Sequence, residues 1–108
     1  MEIIICTIKE DSWVARLAAK KLGAKAVAIV FGRTIHLHGA DRGELLNNTA
    51  WLRHEVCHIR QYRRHGFAGF LCRYLWDWIW HGYWNNKFEV EARAAEKNPG
   101  VMENVQIV

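Results

Sequence analysis

The stretch His54-Glu55-Val56-Cys57-His58 governs how the rest of the sequence is interpreted. Two histidines four residues apart on a helix project from the same face, so they can bind one zinc ion. The carboxylate of Glu55 follows the first histidine and would lie beside the metal, where it can deprotonate a zinc-bound water. We therefore expect a Zn²⁺ site with His54 and His58 as ligands and Glu55 as the general base.

The residues around this motif are typical of one continuous helix. Asn48 or Thr49 can cap its start by accepting hydrogen bonds from free backbone N–H groups, and Gly66 can end it. Between these limits, Leu52 and Val56 recur at helical spacing and can face a core. The sequence thus predicts a helix from about residue 49 to about residue 65, with the two histidines near its middle.

A catalytic zinc ion normally has three protein ligands and one water, so a third ligand is needed. In the longer motif with a third histidine, that histidine would fall at position 64, which is Arg64, and His65 comes one residue late. A glutamate from a later helix, expected over about 86–97, is the alternative. Glu89 is the first choice because it shares a side with the small Ala92, which permits close packing, and Glu91 is the second.

At this point the sequence resembles the gluzincins, in particular their minimal soluble members and the catalytic core of CAAX prenyl proteases. The likeness rests on residues 54–58, on Gln61, and on residues 85–92, which are similar to the F-E-x-x-A-D ligand segment of that group. It covers about residues 25–97. It implies a peptidase that binds zinc and hydrolyses a peptide or protein substrate. Arg93 departs from the pattern, because an aspartate at that place usually supports the histidine ligands.

The resemblance also implies a strand beside the cleft that pairs with an extended peptide. Residues 26–31 and 34–38 read as the two strands of a hairpin joined by Gly32-Arg33. We assign substrate docking to the main chain of the second strand. Its residues are Thr34, Ile35, His36, Leu37 and His38. Alternation places His36 and His38 on a polar face, and Ile35 and Leu37 on the opposite face.

The elements together predict an α+β fold of zincin type in a single domain over residues 1–108. Residues 3–8 read as a first strand or as an apolar lead into a helix that ends at Gly23. A polar loop over 39–43 separates the hairpin from the zinc helix. Asn98-Pro99-Gly100 is a turn signal, so the fold should finish before residue 98. The tail, 98–108, is expected either to add a strand or to enter the cleft.

Residues 67–84 are rich in tryptophan and are expected to be largely helical over 68–82. Arg73, Asp77 and His81 make this segment too polar to span a membrane as a lone helix. Tryptophans two residues apart cannot all face inward on a helix, so some apolar surface should be exposed. That surface predicts peripheral membrane contact or a homodimer, while His81 is a minor candidate for stabilising an oxyanion.

The remaining composition excludes other classes of protein. A net charge of +4 raises the question of nucleic acid, but the basic patch near Arg63 and Arg64 has no groove-reading motif beside it, so no nucleic-acid partner is expected. Three cysteines form no disulfide framework, and the first residues do not resemble a signal peptide; both favour a cytoplasmic protein. The alternative to a peptidase is an inactive zinc-binding module that binds a partner protein or membrane surface through its aromatic segment.

Overall fold

A computed structural model describes residues 2–108 as short strands interspersed with helices. The five helices and the four-stranded mixed sheet of this part of the chain form a compact α+β structure, so the predicted fold class is confirmed. The elements in chain order are β1 (Ile4–Lys9), α1 (Trp13–Leu22), β2 (Val27–Phe31), β3 (Thr34–His38), α2 (Arg42–Asn47), α3 (Thr49–His65), α4 (Phe67–His81), α5 (Lys87–Ala95), a 3-10 helix (Pro99–Met102) and β4 (Val105–Ile107).

The sheet has the strand order β2-β3-β1-β4. β2 and β3 form the predicted antiparallel hairpin, in which Gly32 takes the positive φ of 64° that the tight turn requires. β1 runs parallel to both of its neighbours, β3 and β4. The first strand, which the sequence left open, is therefore a central strand of the sheet.

The predicted substrate-docking edge at Thr34–His38 is wrong, because β3 is an interior strand. Its residues pair with β2 on one side, and Thr34, Ile35 and His36 pair with β1 on the other. Farther along the same side, the main-chain N–H of Ser12 donates to the carbonyl of Leu37 at 2.9 Å. An extended peptide would find these backbone groups already occupied, and the edge strands are β2 and β4.

The core lies between one face of the sheet and α3, α4 and α5. Ile35 and Leu37 are fully buried in it while His36 and His38 are half-buried on the other face, which confirms the predicted alternation. On that other side, α1 packs against β2 and β3 and buries its small residues, Ala15 and Ala19. The large residues of α1 are left in solvent: Trp13, Leu17 and Leu22.

Two local expectations are wrong. The polar loop over 39–43 ends early, because Asp41 and Glu44 form a reciprocal capping box that starts α2 at Arg42. The fold also does not finish before residue 98. Val105–Ile107 pairs with β1 as β4, and the guanidinium Nε of Arg60 donates to the carbonyl of Val101 at 2.6 Å, which ties the tail to α3. The tail therefore adds a strand, one of its two expected outcomes.

The three helices after α2, namely α3, α4 and α5, lie close to where the sequence places them. α3 ends and α4 begins at Gly66, whose φ of 77° suits glycine. α4 buries Phe70 and Asp77 and exposes all three of its tryptophans. Within residues 2–108, no helix combines the length and apolar character that a bilayer crossing demands.

Candidate metal centre

Three side chains from two helices converge on one point beside the core. Nε2 of His54 and Nε2 of His58, one helical turn apart on α3, lie 3.0 Å and 3.2 Å from Oε1 of Glu89 on α5. His58 and Glu89 are buried and His54 is half-buried. The ligand atoms of all three residues lie within 4.8 Å of one another, so this cluster could hold a metal ion.

The start of α5 delivers Glu89 to the two histidines. The side-chain oxygen of Asn86 accepts from the N–H of Phe88, and its amide donates to the carbonyl of Tyr74, which anchors α5 on α4. Ala92, one turn after Glu89, is fully buried where α5 packs against α3. A carboxylate in the first helical turn is also favoured by the helix dipole.

Gln61 fixes the ring of His58. Its amide nitrogen donates to the carbonyl of Phe88 at 3.0 Å and to Oε1 of Glu91 at 2.7 Å. The amide oxygen therefore faces Nδ1 of His58, at 2.7 Å, and accepts a hydrogen bond from its N–H. The neutral ring then keeps its lone pair at Nε2, the atom that faces Glu89. Glu91, the second-choice ligand, lies on the Gln61 side and outside the cluster.

Glu96 has the corresponding role for His54. Its Oε2 lies 2.8 Å from Nδ1 of His54, and it follows Glu89 by two helical turns on the same side of the segment. Arg93, where the resembling proteins carry a supporting aspartate, turns away: its guanidinium stacks on Trp84 at 3.9 Å and donates to the Trp84 carbonyl. Sequence reasoning left the support of His54 unassigned, although the seven-residue spacing to Glu89 pointed to Glu96.

The donor set suits a cation. Nδ1 of each ring donates outward, so the lone pairs of the two Nε2 atoms face a carboxylate oxygen. These electron-rich atoms repel one another unless a proton or a metal ion lies between them. Without a metal, burial would lower the pKa of His54, but its hydrogen bond to Glu89 helps to raise that pKa to about 9. Burial would raise the pKa of Glu89, but the hydrogen bonds from both histidines hold that pKa well below its usual range. The residues fit a bound divalent metal.

Tyr74 of α4 also contacts the cluster. Its hydroxyl donates to Oε2 of Glu89 at 2.5 Å, and its ring packs edge-on against His58. This bond occupies the carboxylate oxygen that does not face the histidines, so it fixes the orientation of the other one. No sequence motif points to Tyr74, because its contact depends on how α4 packs against α5.

Glu55 lies next to His54 on α3 and is 5% exposed, yet no group in residues 2–108 donates a hydrogen bond to its carboxylate. Among the fully enclosed side-chain nitrogen and oxygen atoms of these residues, only Nε of Arg53 lacks a partner. The oxygens of Glu55 therefore keep slight contact with solvent. Burial raises the pKa of Glu55 to about 7, although His58 and His54 oppose the shift. That value suits a general base near neutral pH.

Other residues singled out in the sequence lie outside the cluster. Cys57 belongs to the core, where burial raises the pKa of its thiol to about 12, and its Sγ lies 3.9 Å from Oε1 of Glu91, outside the three-residue cluster. His81 is exposed and lies 3.4 Å from Asp77. His36 bonds to the hydroxyl of Ser12 at 2.8 Å. None of the residues from Thr34 to His38 joins the three-residue cluster.

The fold and the cluster define a small α+β protein with two histidines and a glutamate that could hold a metal ion. Comparison with known families matches residues 6–66 to the eCIS core domain. The match spans more than half of the chain, and the protein belongs to the eCIS core domain family. The matched residues include the whole of α3 and end before α4 and α5. The comparisons with curated proteins and with solved structures found no match.

Proposed function

We propose that the protein is a zinc-dependent peptidase in which His54, His58 and Glu89 hold the metal ion. The observation that carries the proposal is the carboxylate of Glu55, which is buried beside the histidine pair, lacks a hydrogen-bond donor and keeps only slight contact with solvent. An unpaired carboxylate in such a place is costly, and a purely structural zinc site has no need of one. A hydrolytic site needs a proton acceptor there.

When bound, the zinc ion would supply Lewis acidity that polarises the scissile carbonyl and acidifies a water molecule. Glu55 would accept a proton from the attacking water and pass it to the leaving amine. Gln61 and Glu96 would hold the two imidazole rings through their Nδ1 atoms, and Tyr74 would hold Glu89. These three are positioning residues in the proposal.

The geometry of the sheet favours an extended peptide as the substrate. β2 is an edge strand, runs antiparallel to its neighbour β3 and packs against α3, which carries Glu55. Main-chain hydrogen bonds to an edge strand are a common mode of peptide binding. In the proposal, β2 replaces β3 as the strand on which the substrate docks.

Metal analysis of freshly purified protein tests the ligand assignment. We expect about one zinc ion per chain in the wild type and in Glu91→Ala, and loss of the metal in Glu89→Ala. Glu91 is the matched control, because it lies on the same helix but bonds to Gln61 and Arg64. A wild-type protein without metal, or equal loss in both variants, would refute the assignment.

Hydrolysis of unstructured peptides by Glu55→Gln separates a peptidase from an inactive zinc-binding module. An enzyme should lose about 10²- to 10⁴-fold in kcat/KM while it retains zinc, because the amide cannot act as a base. A zinc-loaded wild type that cleaves no peptide would favour the inactive module. Arg93, which departs from the pattern of the gluzincins, does not favour that alternative, because Glu96 contacts Nδ1 of His54 instead.

A further inference from the structure

The outer side of α4 is an apolar surface that no other part of residues 2–108 covers. Leu75, Trp76, Ile79 and Trp80 are 54%, 65%, 77% and 65% exposed. These positions recur at helical spacing, so they form one continuous stripe, whereas Phe70 and Asp77 face inward on the opposite side. We call the four exposed residues the α4 stripe.

One edge of the α4 stripe is positively charged. Arg73 precedes Trp76 and Trp80 by three and seven residues, so it lies on the same side of the helix. Arg73, Arg64 and Lys87 border a shallow pocket together with a single acid, Glu91. Glu91 pairs with Arg64, and within residues 2–108 neither Arg73 nor Lys87 has a carboxylate partner. This edge therefore carries a net excess of positive charge.

The stripe itself has no exposed carboxylate. The one acid of α4, Asp77, is 8% exposed, and its oxygen accepts the main-chain N–H of Lys87 at 2.7 Å. A second copy packed stripe to stripe would bring an identical cationic edge, whose one acid, Glu91, already pairs with Arg64. An anionic bilayer offers the complementary charge, and the tryptophan ring is suited to the headgroup level of a membrane.

We infer that the α4 stripe docks the protein on the surface of a bilayer that contains anionic lipids. Trp76, Ile79 and Trp80 enter the headgroup and acyl boundary, while Arg73 and Lys87 contact lipid phosphates. The helix lies in the plane of the interface and does not cross it, in agreement with the lengths of the described helices. The inference uses no residue of the candidate metal centre, so it stands or falls independently of the proposed function.

Co-sedimentation with lipid vesicles tests the inference on the full chain. We expect binding to phosphatidylcholine vesicles that contain phosphatidylglycerol, and at least about tenfold weaker binding of Trp76→Ser/Trp80→Ser, because two interfacial anchors are lost. Arg73→Glu/Lys87→Glu should lose the preference for the anionic vesicles. Trp13→Ser is the matched control, since Trp13 is 64% exposed on α1, away from α4, and should bind as the wild type does.

Three results would overturn the inference. The wild type could fail to bind either kind of vesicle, or Trp13→Ser could lose as much affinity as the α4 variant. The third is a wild-type dimer in light scattering that Trp76→Ser/Trp80→Ser converts to a monomer, without vesicle binding; the occupant would then be a second copy. Thermal unfolding by circular dichroism establishes that each variant is folded. If the tryptophan variant does not fold, the charge variant, which is altered only at exposed residues, still tests the inference.

Discussion

At the scale of single residues, the candidate site depends on amide and carboxylate groups that determine which imidazole nitrogen carries the proton. Gln61 is fully buried and its amide nitrogen has two acceptors, so its oxygen can face only Nδ1 of His58. We expect Gln61→Leu to weaken zinc affinity by about 10- to 100-fold, because the ring loses its orienting acceptor. Competition with a chromophoric chelator measures the change.

A parallel comparison at His54 uses two variants of Glu96. Glu96→Gln keeps a carbonyl oxygen that can accept from Nδ1 of His54, whereas Glu96→Ala removes it. The alanine variant should therefore lose more affinity than the glutamine variant. Equal affinities for Gln61→Leu and the wild type would contradict the orienting role of Gln61.

Tyr74 provides a second test at this scale, because its hydroxyl donates to Glu89 while its ring packs in the aromatic cluster of Phe70 and Phe88. Tyr74→Phe keeps the ring, so we expect a folded protein with zinc affinity reduced by about tenfold. Tyr62→Phe is the matched control. It removes a bond to the carbonyl of Val30 and should cost about 0.5–1.5 kcal/mol of stability without changing zinc affinity.

At the scale of elements, the approach of α5 to α3 sets the distance between Glu89 and the histidines. Ala92 is fully buried in that interface, and Ala94, on the same helix, is exposed. Ala92→Leu should cost about 1–3 kcal/mol and also weaken zinc binding, since a larger side chain pushes the two helices apart. Ala94→Leu should stay within about 0.5 kcal/mol of the wild type. Urea unfolding and chelator competition measure both effects; unchanged zinc affinity in a destabilised Ala92→Leu would contradict the prediction.

The elements that local patterns predicted are those whose signals lie within a few residues. The hairpin turn at Gly32 and the break at Gly66 are examples, and the histidine helix follows from its own periodicity. β4 could not be predicted in this way, because its partner, β1, lies about a hundred residues earlier in the chain. Residues Val105–Ile107 are too few to show a period, and their pairing depends on the position of β1 after folding. The interior position of β3 was missed for the same reason, since β1 must insert beside it.

The candidate site likewise combines features that follow from local sequence with features that depend on tertiary structure. The spacing of His54 and His58, and the position of Glu89 near the start of a helix, are local properties of the sequence. The contacts of Tyr74 and Glu96 depend on the packing of α4 and α5 against α3, so they follow from tertiary structure. The choice of Glu89 over Glu91 combined helical geometry, which turns the two side chains to different faces, with the small Ala92 on the side of Glu89.

At the scale of the whole molecule, metal binding should be coupled to folding, because Glu89 and the histidines come together only in the folded chain. Zinc at about a hundred times its Kd should add about 2.7 kcal/mol of stability, which raises the Tm of a protein of this size by roughly 10–20 °C. Differential scanning calorimetry with zinc and with chelator measures the shift. Glu89→Ala should abolish the shift, and Glu103→Ala, which alters an exposed acid in the tail, should retain it. If chelator left the Tm of the zinc-loaded wild type unchanged, metal binding would not be coupled to folding. That result would contradict the assignment of Glu89.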